Sequence, residues 1–387
     1  MAIAINLNPF KDFLKSGQTG GFLLLASVIS SLLLANLGFS EQIHHLLQYK
    51  FGWQAGGLYL PTEIWINDGL MAVFFLLVGL EIKREILEGE LSSTKRAILP
   101  IFAALGGMIF PAAIFAVINN GKPTSGGWGI PMATDIAFAL AIISLLGKKV
   151  PTSLKVFLAA LAIVDDLGAI LVIALFYSTH LNLLYLLYAG VIVGFLALLN
   201  TLKVKKLLAY IIPGLLLWYL IHHSGMHATI AGVLLAFTIP TNPVKKQSPL
   251  EKLEHRLNAP VNYFIMPLFA LANTNIKFEP EMLNGLGSPL GLGIILGLLV
   301  GKTAGISLFS YIAVKTGLSD LPSRSQWKHI IGVAILGGIG FTMSVFIALL
   351  SFDNLTHQIQ AKFAILVASA LAGIIGYQFL NYLFGEK

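Results

Sequence analysis

Gly126-Gly-Trp-Gly-Ile-Pro-Met-Ala-Thr-Asp135 opens an apolar stretch that runs to residue 146, and it cannot be one continuous helix. Three glycines and Pro131 interrupt it just before Thr134 and Asp135, because proline removes a backbone donor and its ring clashes with the preceding turn. Gly337-Gly-Ile-Gly-Phe-Thr342 interrupts a second apolar stretch, 329–350, in the same manner. Either segment alone would fit an ordinary helix with close-packing glycines. Two matching interruptions in corresponding parts of two halves point to an inverted-repeat transporter, in which half-helix ends meet at mid-membrane.

The surrounding chain is built for a bilayer. Of its 387 residues 56% are hydrophobic and only 11% charged, against about 25% charged in an ordinary soluble domain. The mean hydropathy is +0.82. These values exclude a soluble enzyme, since so much apolar surface has no water-facing cover. At about 20 residues per crossing, about twelve spans are expected, at 17–37, 64–82, 97–118, 126–146, 152–177, 182–200, 207–220, 223–240, 259–275, 289–313, 329–350 and 359–384. The fold class is therefore an all-α polytopic membrane protein, read as a single domain over 1–387.

The formal net charge of +7 lies in small basic clusters between apolar stretches rather than in one stripe, which argues against nucleic acid as a partner. The absence of cysteine excludes disulfides and thiolate chemistry. Residues 1–16 are too polar for a secretory signal, so the amino terminus is expected to be retained. With both termini in the cytoplasm, twenty of the 25 Lys and Arg residues fall on the cytoplasmic side, as the positive-inside bias requires. They include Lys83, Arg84, Lys203, Lys205, Lys206, Lys245, Lys246, Arg256 and Lys387. Lys50, Lys122, Lys277 and Lys362 fall outside, and Lys302 stands in an apolar run. One external loop, about 48–60, alternates Tyr49, Phe51 and Trp53, turns at Ala55-Gly56-Gly57 and resumes at Leu58 and Leu60, the pattern of a β-hairpin. A lone hairpin is marginal, so a second subunit is expected against it.

Ionisable side chains within hydrocarbon are costly and mark function. Four stand well inside spans, away from their ends: Asp135, Asp165, Asp166 and Lys302. A structural ion pair needs one acid and one base. Three acids and one base leave carboxylates that must take up protons or bind a cation. Asp165 and Asp166 are adjacent, and successive helical residues point about 100° apart, so one faces a water-filled cavity while the other meets Lys302. Asp135 begins the second half of its broken span, where a carboxylate stabilises paired helix amino ends. Lys302, the only intramembrane base, is expected at the facing carboxyl ends.

Thr134-Asp135, Asp165-Asp166 and Lys302 with the two broken spans closely resemble the NhaA-type sodium/proton antiporters, themselves an example of the inverted-repeat architecture. The resemblance extends over nearly the whole chain, through residues 65–81, 133–139, 164–167, His227-Ala-Thr229, Leu253-Glu-His255, 267–273 and 337–343. It implies exchange of one Na+ or Li+ for two protons across a bacterial inner membrane, without a cofactor and for sodium and pH homeostasis; the homodimer is expected from the hairpin alone. Asp166 would be the principal cation ligand and proton carrier, Asp165 its partner or the partner of Lys302, with Thr134 and Asp135 lining the site or balancing helix dipoles. Activation at alkaline pH would rest on Glu81, Arg84, Glu85, Glu254 and His255, with His227 as a structural or modulating histidine. Known members carry a second histidine three residues after the first, where this chain has Asn258. An intramembrane aspartyl protease would not need Lys302, a sodium-coupled solute symporter would need a larger polar cavity, and a channel would not need broken helices.

Overall fold

The computed structural model describes residues 8–178, 181–241 and 248–385. Lys245, Lys246 and Lys387 lie outside the described residues. All twelve expected stretches are helical. Seven helices are by themselves long and apolar enough to cross a membrane: Thr19–Gln48, Thr94–Ile118, Ser125–Leu145, Thr152–Phe176, Leu183–Thr201, Pro289–Lys315 and Leu355–Gly385. An eighth crossing is the pair Trp327–Gly337 and Phe341–Ser351, bent by 45°. The stretches at 62–87, Leu208–His223, Ile230–Thr238 and 249–273 are shorter, or carry charges at their ends.

Several boundaries differ from those read in the sequence. The first helix does not end near 37: Gly38, at φ 97°, turns the chain, and an amphipathic helix continues over Ser40–Gln48. The second span runs on to Leu87, because nothing breaks its ladder before Glu88. The seventh and eighth helices part at Ser224–Thr229 rather than at 220–223. Before the ninth span, Ser248 and Glu251 form a capping box that starts an amphipathic helix, Pro249–Pro260, satisfying donors at the helix start reciprocally.

The hairpin pairs Lys50–Trp53 with Leu58–Pro61, antiparallel, with Phe51 opposite Leu60. It leans on its own second span: Trp65 stacks on Phe51 and its indole nitrogen donates to the Phe51 carbonyl at 3.2 Å.

Pro289–Lys315 places Gly293, Gly297, Gly301 and Gly305 at intervals of four, one face of a helix. This face lies on Thr94–Ile118, the third span. A Cβ built on Gly106 would stand 2.1 Å from the Gly305 carbonyl oxygen, and one on Gly305 would stand 2.1 Å from that of Gly106. Small residues that let backbones touch are a means of joining helices in lipid, where apolar burial gives no advantage. Spans three to five and ten to twelve each have a broken helix in the middle. Each span of the second set comes seven positions after its counterpart in the first, an odd number, so the second set is inverted relative to the first. Gly106→Ala is expected to destabilise the protein by about 1–3 kcal/mol through overpacking, read as a lower melting temperature in detergent; an unchanged value would show that the two helices can separate freely.

Candidate functional site

The two broken spans cross at their interruptions. Ala133 and Asp135 are extended, and the Asp135 N–H donates to the Ile339 carbonyl at 2.6 Å, so each break satisfies backbone groups of the other. At the crossing a Cβ on Gly340 would lie 3.2 Å from the Ala133 carbonyl oxygen, and beside it a Cβ on Gly338 would lie 2.5 Å from the Leu298 carbonyl oxygen of Pro289–Lys315, so glycine is needed for these approaches.

Asp135 caps Ile136–Leu145 by accepting from the Phe138 N–H at 3.0 Å. Its second oxygen accepts from the Thr342 N–H at 3.0 Å and from the Thr342 hydroxyl, at the start of Phe341–Ser351. One carboxylate thus serves the positive amino ends of both half-helices. Thr134 stands at the opposite pair of ends. Its Oγ1 is 2.9 Å from the Gly337 carbonyl oxygen, 2.7 Å from Asp165 Oδ2, and accepts from Lys302 Nζ at 3.0 Å.

Lys302 forms a fully buried ion pair with Asp165. This is the pairing of Lys302 with one of the two aspartates that the sequence predicts; among the described residues its hydrogen bonds go to Asp165 and Thr134, and the Thr134 hydroxyl stands between it and the Gly337 carbonyl oxygen at a helix carboxyl end. The reason is electrostatic: an ammonium removed from water gains more from a full carboxylate than from the partial charge of a helix end.

Asp166 diverges from this cluster, as adjacent helical residues must. It is 2% exposed, and its Oδ1 has no hydrogen-bond partner among the described residues. It lines a cavity of about 30 Å³ together with Glu81, Asp135, Asn262 and Thr342, large enough for a water-sized guest. Asp165 and Thr134 are not among the residues lining it. Asp165 has Lys302 and Asp135 has two helix ends, which leaves Asp166, of the three intramembrane aspartates, as the one facing open space.

Glu81 reaches the cavity from the second span, and the turns after it carry a charged cluster. Arg84 pairs with Glu85 at 2.9 Å and with Glu254 at 3.0 Å. Burial raises the Glu254 carboxyl above the ordinary range, and the Arg84 guanidinium opposes that shift. His255 is exposed beside Glu254. His227 lies elsewhere, at the turn between the seventh and eighth helices within electrostatic reach of Asp68.

Residues 11–380 match the family described as "Na+/H+ antiporter 1". The chain belongs to this Na+/H+ antiporter family. It is 60% identical to "Na(+)/H(+) antiporter NhaA 2" of Flavobacterium johnsoniae over 98% of this chain and 94% of that protein. It is 51% identical to "Na(+)/H(+) antiporter NhaA" of Flavobacterium psychrophilum, over 96% of each. The solved structure of the sodium proton antiporter MjNhaP1 from Methanocaldococcus jannaschii at pH 8 shares the fold, with a TM-score of 0.55 at 15% identity over 96% of this chain and 100% of that one.

Within this antiporter fold the structure also brings forward polar residues that the sequence reading passed over. Asn273 donates to Asn67 at 2.8 Å between the ninth and second spans, and His222 stands 3.6 Å from Asp68. Asn262 lines the cavity itself. Each is a polar side chain in a largely apolar run, the signal by which it could have been found.

Proposed function

We propose that this antiporter exchanges Na+ or Li+ for protons, two protons per cation and hence electrogenically, across a bacterial inner membrane. The observation that carries the reading is Asp166, a carboxylate buried beside the crossing of two broken helices, in no ion pair among the described residues and open to a cavity. Such a group holds either a proton or a cation, and competition between them is exchange. Oxygen ligands suit hard alkali ions. The Asp165–Lys302 pair beside it is the second position able to carry a proton, which underlies the two-proton stoichiometry. Asp135 and Thr134 balance the four half-helix ends. No cofactor enters this chemistry.

The cytoplasmic cluster of Glu81, Arg84, Glu85, Glu254 and His255 is the seat of alkaline activation, because its carboxyl groups sit where an ion enters from the cytoplasm. His227, on the outer side, modulates that response at a distance. Both termini are cytoplasmic on the distribution of Lys and Arg. The exposed Tyr49 and Trp53 of the hairpin form the seam of a homodimer embedded in lipid.

The test is Na+- and Li+-induced proton release from acid-loaded proteoliposomes, followed with a pH-sensitive dye. Both cations are expected to release protons. The apparent Na+ affinity is expected to weaken as pH falls, since protonation of the shared carboxylate removes the cation's ligand. Affinity constant between about pH 6 and 8.5, a window that brackets an ordinary histidine, would refute competition at one site.

A further inference from the structure

The ninth span loses its α-helical phase at Val261–Ile265, a π turn. Such turns insert one residue, rotate a side chain out of register, and recur at functional sites. Asn262 is the one amide in Val261-Asn-Tyr-Phe-Ile265 and the only amide among the residues lining the cavity beside Asp166. Its Nδ2 donates to Asn258 Oδ1 at 2.9 Å, one turn towards the cytoplasm. That bond fixes the plane of the amide and leaves Oδ1 as its acceptor atom. The first span makes room for the side chain: a Cβ on Gly20 would stand 3.1 Å from Asn262 Cβ and 3.7 Å from Cγ.

An alkali ion that leaves water must regain oxygen ligands. Around the cavity, Asp135 and Thr342 are bonded to each other, which leaves Asp166, Glu81 and Asn262 as the side chains facing a guest. A neutral amide oxygen adds a ligand without adding charge, and it gives up no proton on binding. We propose that Asn262 Oδ1 is a ligand of the Na+ or Li+ ion entering beside Asp166, that Asn258 holds it in position, and that the pair sets cation affinity independently of the proton step. This inference rests on the reading of Asp166 as the exchanging carboxylate. Asn262 acts as a ligand and Asn258 as a positioning residue.

The experiment is the Na+ and Li+ concentration dependence of exchange in proteoliposomes at one alkaline pH, for the parent, Asn262→Ala and Asn258→Ala, with thermal melting of each. Asn262→Ala is expected to raise KM by about 3- to 30-fold, the range for losing one ion–dipole contact. Its maximal rate should hold, and the factors for Na+ and Li+ should differ. Asn258→Ala should raise KM by less. A packing role would lower the melting temperature and the maximal rate instead, leaving the Na+ to Li+ ratio of KM values where it was; that pattern overturns the assignment, as does a parental KM in Asn262→Ala. If Asn262→Ala does not fold, Asn258→Ala decides: a raised KM supports the pair and a parental one refutes it. A parent that exchanges neither cation would sink the antiport reading itself, whereas an active parent beside an unchanged variant would overturn only the role of Asn262.

Discussion

Asp166→Asn is expected to abolish Na+- and Li+-driven proton release while the variant melts at or above the parental temperature. Asparagine keeps the shape of a protonated aspartate but can neither release the proton nor offer a full negative charge. Removing one partner of a buried charged contact costs about 2–5 kcal/mol, and each 1.4 kcal/mol or so is tenfold. Cation affinity alone should therefore fall by at least about 30-fold, and loss of the exchangeable proton stops turnover outright. Stability should not suffer, because Asp166 belongs to no ion pair and its Oδ1 has no partner among the described residues. Neutralising it also removes repulsion from Asp165 one residue away. Dye dequenching checks the first half and thermal melting in detergent the second. Residual exchange at more than a few per cent of the parental rate would move the exchanging group elsewhere, with Asp165 the first to be tried.

The distinction between the two neighbouring aspartates marks how far the sequence could be read. Helical geometry requires Asp165 and Asp166 to diverge, but not which one meets Lys302; that depends on the rotation of Thr152–Phe176 against Pro289–Lys315, which tertiary packing fixes. Asp135 was readable, because the glycines and Pro131 before it announce a helix start and a carboxylate is the natural cap there. Asn262 was not. It belongs to a π turn, and a 3.6-residue period carried through Val261–Ile265 assigns the wrong face to whatever follows. Similarly, the polar run after Gly38 reads as the end of a span, when a single left-handed glycine lets a second, amphipathic helix resume. Broken spans reveal themselves by residue type, whereas inserted residues and helix rotation reveal themselves only in three dimensions.

Lys302→Ala should give the opposite signature to Asp166→Asn. Here the main loss is in stability, because Asp165 would remain in a fully buried place with its counter-charge gone. Breaking a buried pair by removing one partner costs about 3–5 kcal/mol, more than the intact pair contributes over an apolar replacement. At about 2 °C per kcal/mol for a large chain, the melting temperature should fall by about 6–10 °C. Thr134 would lose the donor it accepts from, while its own hydroxyl could still reach the Gly337 carbonyl oxygen, so the helix crossing should survive. Asp165→Asn combined with Lys302→Met removes both charges and preserves most of the volume. This double variant should recover the greater part of the lost stability, since no charge is then left uncompensated in hydrocarbon. Melting of the three proteins separates the two explanations for the pair. If Lys302→Ala melts like the parent, Asp165 carries no charge that needs Lys302. If the single variant falls and the double variant recovers, the pair is ionised at rest, and any proton it contributes to exchange must be taken up against that ion pair during the transport cycle.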